Sequence, residues 1–416
     1  MEYALVLLTL GIIFALYMTW GVGANDVANA MGTSVGSGAI TVKKAILIAA
    51  VFEFAGAFLA GGHVTGTIRK GIIDANAVPS PEILVYGMLS ALLAAGVWLM
   101  VASYYGWPVS TTHTIVGALV GFGMVGLGFD AVEWKVVGGI VASWLISPLI
   151  GATIAFVLAQ SVRKFILDTD SPFENAKKYG PVYVFLMGVL IALVTMFKGL
   201  KHLSLELSTG QSVLVAIVVG LIVAFVGRVL LRRISPVDAD AERDFHYASV
   251  EKVFAPLCVF TACSMAFAHG SNDVANGIGP LAAIVSIIDT GEVAQESALP
   301  LWILVLGGVG IVLGLATMGY RVMKTIGTKI TELTPSRGFC AELAAASTVV
   351  LASRLGLPVS TTHIIVGAVL GVGLARGIAA IDLRVVVGIV TSWVVTLPIG
   401  AALAAFFFFF FKGVFL

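Results

Sequence analysis

Charge is scarce in this chain: Asp, Glu, Lys and Arg make up 11% of its 416 residues, against 59% hydrophobic. A soluble chain of this length could not cover its surface with so few charges, whereas lipid-facing helices require such a composition. Cysteine is nearly absent too. Cys258, Cys263 and Cys340 lie in or beside apolar runs without CxxC spacing, which speaks for small core residues and against a disulfide framework or a zinc site. The formal net charge of +1 gives nucleic acid no footprint. No GxxxxGK[ST] occurs, and the longest polar loops, near 161–180 and 232–252, are too short to fold as a nucleotide-binding domain. Any transport is therefore driven by a gradient, unless a partner chain supplies the motor. The start, MEYALVLL, lacks a basic n-region, so the first apolar run is expected to be a retained helix.

Long apolar sequence is what the chain has in abundance. Runs able to cross a bilayer lie near 4–22, 43–61, 83–104, 109–127, 136–160, 181–198, 211–231, 253–268, 300–320, 339–355, 359–375 and 384–411. The fold class expected is an all-α polytopic membrane protein of about twelve transmembrane segments. The chain also contains itself twice. GANDVAN at 23–29 matches GSNDVAN at 270–276, offset 247. PVSTTHTIVGALVG at 108–121 matches PVSTTHIIVGAVLG at 358–371, offset 250, and GIVASW at 139–144 matches GIVTSW at 388–393, offset 249.

Each half holds about five spans and two more join them, an odd number, so the second half enters from the opposite side. That makes two inverted repeats with broken helices or re-entrant segments. The expected divisions are an N-terminal transport repeat (1–160), two connecting spans with charged loops (161–252) and a C-terminal inverted repeat (253–416). Alternating the loops leaves Arg69, Lys70, Lys135, Lys198, Lys201, Arg354 and Lys412 on one side and the other 17 of the 24 basic residues opposite them. The positive-inside rule then puts both termini outside the cytoplasm.

The repeated phrases carry the chemistry. Pro108 and Pro358 lack an N–H and disfavour helix before them, so each can end one helix and restart another, with Ser110 or Ser360 at the N-cap. A helix restarting within the membrane exposes free N–H groups and the positive end of its dipole. The hydroxyls of Ser110, Thr111 and Thr112, and of Ser360, Thr361 and Thr362, add donors: an anion cradle without a formal positive charge. The plainer reading, hydroxyls bonded back to the preceding turn, fits one copy better than two matched copies.

GxNDVAN supplies Asn25, Asp26, Asn29, Asn272, Asp273 and Asn276, a hard-oxygen set suited to Na⁺ or H⁺. It also suits unwound helix at Gly21, Gly23, Gly270, Gly277 and Gly279. Glu53 and Glu342 add acids within apolar runs, which default to function unless a structural hydrogen bond explains them. The two are not sequence mates, since the offset of 250 sets Glu342 on Leu92 and Glu53 near Trp302. The phrases contain two aspartates and no Lys or Arg, so a dianion cannot enter alone. Cations must bind with it, which predicts a symporter.

At these residues the sequence resembles the inorganic phosphate transporter (Pit-type) family, which includes sodium–phosphate symporters. GANDVANA, HGSNDVANGIGP, GFCAELAAA and the two PVSTTH segments match its signature phrases over roughly 20–150 and 255–400. The resemblance implies inorganic phosphate held near the midplane, sodium or protons as coupling ion, and a homodimer in the lipid bilayer of the cell membrane, with no further cofactor. By motif, Asn25, Asn272 and the two Ser-Thr-Thr clusters are the phosphate set. Asp26, Asn29, Asp273, Asn276, Glu53 and Glu342 are the sodium set. His269, just ahead of the second signature, is left with a proton or gating role. The long central domain of eukaryotic members is missing.

Other signals are weaker. GFGMVG at 121–126 fits GxGxxG but follows no strand, so close packing of Gly117/Gly121 and Gly367/Gly371 explains it better. His113 and His363 are proton-relay or phosphate candidates and equally good structural histidines. His63, His202 and His246 read as loop residues, Trp144 and Trp393 as paired packing or interface residues. The phenylalanines at 406–411 are expected to face lipid. A Ser110–His113–Asp26 hydrolase is disfavoured because the whole set is duplicated, and an anion channel because it would want a basic ring and no buried acids. Proton-coupled phosphate or metal-phosphate symport, and sulfate as substrate, are the rival readings within transporters.

Overall fold

Two of the helices stop half-way. In a computed structural model of the chain, which describes residues 3–62, 65, 71–196, 208–237, 247–293, 299–355 and 359–416, α4 (Thr111–Phe122) and α12 (Thr361–Arg376) have 12 and 16 residues. Gly123–Leu127 carries α4 on as a π-helical turn, so each spans roughly 24 Å, short of the ~30 Å hydrocarbon core. Around them stand α1 (Ala4–Gly36), α2 (Val42–Ala60), α3 (Pro81–Tyr105), α5 (Trp134–Val162), α6 (Pro172–Val194), α7 (Thr209–Arg232), α8 (Ala248–Thr290), α9 (Leu301–Thr317), α10 (Gly319–Thr328), α11 (Pro335–Arg354) and α13 (Leu383–Phe415). Each of the twelve apolar runs falls on a helix. Among the described residues, α1, α3, α5, α6, α7, α8 and α13 are long and apolar enough to cross a membrane singly, while α9 and α10 form one span bent by 70°.

The repeats interlock. The half-helix α4 packs on α13 of the other half, and α12 packs on α5. Backbone meets backbone at these contacts. A Cβ on Gly117 would lie 2.4 Å from the Leu397 carbonyl oxygen, and one on Gly367 would lie 2.4 Å from that of Pro148. Gly121 and Gly371 repeat the pattern one turn on, against Ala401 and Ala152. The small-residue face read from the sequence is therefore an interface between halves.

Expectation and structure differ in three places. The glycines of the GxNDVAN phrases do not unwind the chain: α1 and α8 run unbroken through them, for 33 and 43 residues. Their absent side chains instead let helices touch, since a Cβ on Gly23 would sit 1.9 Å from the Ile311 oxygen and one on Gly270 2.3 Å from the Glu53 oxygen. These matched contacts also make Ile311, and not a residue near Trp302, the spatial mate of Glu53. Third, the phenylalanine run is split by helical spacing. Phe406, Phe409 and Phe410 are exposed, while Phe408 and Phe411 are buried beside Phe122 and Phe14. Pro358, Arg69, Lys70, Lys198, Lys201, Arg243, His63, His202, His246 and the side chain of Arg354 lie outside the described residues.

Gly371→Ala should destabilise the protein by about 1–3 kcal/mol, because neither backbone can yield. Gly138→Ala in α5, where nothing lies within 4 Å, serves as the control. Thermal unfolding in detergent, followed by loss of the monodisperse peak, should drop for the first variant and hold for the second.

Candidate ion and oxyanion site

The break before α4 is built by local chemistry. Gly106, at φ 69°, closes α3 in the left-handed region that glycine adopts without cost. Asn25 then splints the strand of chain that follows: its Nδ2 donates to the Trp107 carbonyl (2.9 Å) and to Ser103 Oγ (3.3 Å), while its Oδ1 accepts from Val109 N (3.2 Å). Asn272 donates likewise to the Val359 carbonyl at 3.3 Å. Ser110 and Ser360, both extended, accept from the backbone N–H of His113 (3.1 Å) and His363 (3.2 Å), so the expected N-caps are present. The structure thus gives Asn25 and Asn272 contacts that hold the loops in place.

The two capped starts face each other. Thr112 donates to the Val359 carbonyl (3.2 Å) and Thr362 to the Val109 carbonyl (3.1 Å), one bond in each direction. Asn29 Nδ2 crosses to Thr361 (3.2 Å) and Thr362 (2.9 Å), and Asn276 Nδ2 crosses to Thr111 and Thr112 (3.2 Å each). Every one of these residues is buried. Two helix N-termini, four threonine hydroxyls and two amides therefore converge on one place, and an oxyanion entering it would draw the hydroxyl protons away from Val109, Val359, Asp26 and Asp273.

Acids lie against the same hydroxyls. Thr111 donates to Asp26 Oδ2 at 2.7 Å and Thr361 to Asp273 Oδ2 at 2.6 Å, each within its own repeat, and Thr362 reaches Asp26 Oδ1 at 3.3 Å. His269 joins the carboxylates: Nε2 lies 2.9 Å from Asp273 and 3.9 Å from Asp26, while Nδ1 lies 3.1 Å from Glu53. Ligand atoms of Asp26, His269 and Asp273 all fall within 4.8 Å of one another. Even a protonated imidazole leaves three carboxylates with one positive charge. Burying uncompensated charge costs several kcal/mol per ion, so this arrangement suits a cation. Asn29 Oδ1, buried without a hydrogen-bond partner, is a further oxygen free to ligate one.

Glu342 is not brought to this cluster. It is buried in a separate nest of donors: Thr33, Ser34 (2.7 Å), Thr261 (2.9 Å) and the Cys258 thiol (3.7 Å). Those partners were missed in the sequence, although Thr33 and Asn29 share a helix face at i, i+4. His113 and His363 pack each on the tryptophan of its own repeat and turn Nδ1 to a carbonyl of the opposite one. His113 lies on the Trp144 ring (centroids 3.7 Å) and His363 on that of Trp393 (3.6 Å), while their Nδ1 atoms lie 3.4 Å and 3.2 Å from the Trp393 and Trp144 carbonyls. With Ser110 capping its own helix and the His113 ring turned to the tryptophans, no Ser–His–Asp relay forms.

Two capped helix starts and a cluster of buried acids sharing one set of hydroxyls, inside a bundle of membrane-length helices, have the make-up of a transporter's ion and oxyanion site. Comparison with known proteins agrees. Residues 22–404 match the phosphate transporter family. A Haemophilus influenzae protein provisionally named a phosphate permease is 49% identical, over all of this chain and 99% of its own length. Inorganic phosphate transporter 2-1, a chloroplastic protein of Arabidopsis thaliana, is 47% identical over 95% of this chain and 70% of its own. A solved sodium-dependent phosphate transporter superposes with a TM-score of 0.90 at 41% identity, covering 99% of this chain and all of that one. The chain belongs to the phosphate transporter family.

Thr111→Val and Thr361→Val keep shape but remove the donor to each aspartate. Leaving a buried aspartate without that donor costs about 1.5–3 kcal/mol, so each variant should unfold at a lower temperature in detergent and, having lost a hydroxyl of the cradle, bind phosphate roughly tenfold or more weakly in equilibrium dialysis.

Proposed function

We propose that the protein is a sodium-coupled symporter that brings inorganic phosphate into the cell by alternating access. The observation that carries this reading is the buried acid cluster lying against the oxyanion cradle. A dianion and two aspartates cannot share a low-dielectric site unless cations enter with them, and that requirement is itself coupling. In this reading Asp26, Asn29, Asp273 and Asn276 hold sodium with Glu53, the Ser-Thr-Thr clusters hold phosphate, and Glu342 shapes a separate ion site or gate. The name of the structural neighbour supports sodium. His269, wedged between Glu53 and Asp273, favours protons as the second reading of the coupling ion, because an imidazole between two acids can pass one.

The termini are assigned to the extracytoplasmic side from the basic-loop asymmetry, in the cell membrane, with a homodimer as the working assembly. The chain is divided as before, with α6 and α7 joining two transport repeats.

Uptake of radiolabelled phosphate into proteoliposomes should depend on a sodium gradient at fixed pH and resist excess sulfate. Accumulation driven equally well by a pH gradient without sodium would replace sodium by protons in this account. Dissipation without accumulation would make the protein a channel. Asp26→Asn and Asp273→Asn should each abolish sodium-dependent uptake, and sodium coupling retained in both would remove their assigned role.

A further inference from the structure

A second cluster of cations lies well away from the cradle. Arg376 ends the half-helix that Thr361 begins, so the two are separated by about 22 Å of helix. There a cavity of about 270 Å³ opens between the ends of α5, α11 and α12. Arg163, Arg337 and Arg376, one from each helix end, line it together with Asp168, Tyr247 and Ser336.

The acids that face these arginines balance them loosely. Arg163 Nε meets Asp168 at 2.8 Å, with both side chains 52% exposed. Arg376 and Arg337 share Glu332, at 3.1 and 3.9 Å, and Glu332 is 71% exposed where the arginines are 30% and 27% exposed. Arg337 and Arg376 are therefore better fixed than Glu332, held by its backbone carbonyl while its carboxylate stands in water, and Arg163 gains a second partner in the Ala375 carbonyl. A third acid, Glu251, is buried and already committed: it accepts from Ser336 N and Oγ at 2.7 Å each, at the first turn of α11. Tyr247 holds φ at 79°, the one described non-glycine residue at positive φ, which marks local strain at this rim.

The other repeat has no such cluster. At offsets of 249 to 250 the mates of Arg163, Arg376 and Arg337 are Lys412, Gly126 and Gly87. A feature needed only to fold the repeat would occur in both copies. Planar guanidiniums on three helices match the geometry of a tetrahedral oxyanion, which can take two N–H donors from each.

We infer that this cavity is a second oxyanion site, in which Arg163, Arg337 and Arg376 hold a phosphate group and displace the exposed carboxylate of Glu332. Its occupant is either free phosphate or the headgroup of an anionic phospholipid, and it ties together the ends of α5, α11 and α12. The site stands on its own geometry whether or not the central cradle takes phosphate.

The test uses full-length Thr111→Val/Thr361→Val protein, weakened at the centre, in phosphatidylcholine nanodiscs. Equilibrium dialysis with radiolabelled phosphate should show saturable binding that weakens tenfold or more with Arg163→Gln, and likewise with Arg376→Gln. Arg163→Gln is the decisive variant, because its side chain is half exposed and its loss leaves the Glu332 clamp intact. In a second arm, nanodiscs containing phosphatidylglycerol are analysed by native mass spectrometry. Retained phosphatidylglycerol that disappears with Arg163→Gln and competes with phosphate makes the headgroup the occupant. Phosphate binding in pure phosphatidylcholine makes it the free anion. If neither ligand binds, or binding is indifferent to Arg163→Gln in monodisperse protein, the site does not exist.

Discussion

Three carboxylates and one imidazole are packed where water does not reach, and the rest of the molecule is arranged around that imbalance. Left alone, the charge would be driven out by its own desolvation. Hydroxyls from the two re-entrant loops dampen it without neutralising it, because a threonine donates a hydrogen bond and no charge. In the proposed reading the remaining deficit is the thermodynamic demand that cations meet, and with them in place an anion becomes tolerable beside Asp26 and Asp273. Coupling of the proposed kind needs no moving lever in the first instance, only a site whose electrostatics close when all its occupants are present.

The interlocking of the halves turns this demand into geometry. Asn29 from the first repeat holds the threonines of the second, and Asn276 returns the contact. Each half-helix is seated against the long final helix of the opposite repeat through glycine–carbonyl contacts that admit no side chain. Neither repeat can therefore shift without moving a wall of the site that belongs to the other, which is the mechanical condition that the proposed alternating access requires.

Much of this could be read from the residues alone. The duplicated PVSTTH phrases fixed where helices restart, because proline and serine act through local backbone physics that needs no tertiary context. The burial of Asp26 and Asp273 followed from an acid within an apolar repeat. What the residues concealed were relations across the chain. Glycine permits both unwinding and close approach, and only the packing of Ile311 and Glu53 against Gly23 and Gly270 decides for the second. Asn25 reads as a ligand by type, and no spacing rule reveals the hydrogen bonds by which it also holds Ser103, Trp107 and Val109. The nest around Glu342 draws on α1, α8 and α11, and no spacing rule links Ser34, Thr261 and Glu342.

The match of Glu53 with Ile311 has a last implication. Under the alternating access proposed above, chemically identical halves would give the empty protein the same energy facing either way, with no preferred resting state. One acid opposed by one hydrocarbon lifts that degeneracy. Glu53 against Ile311 is one such pair, beside His269 against Val22 and Glu342 against Leu92, and the bias they set acts before any solute arrives.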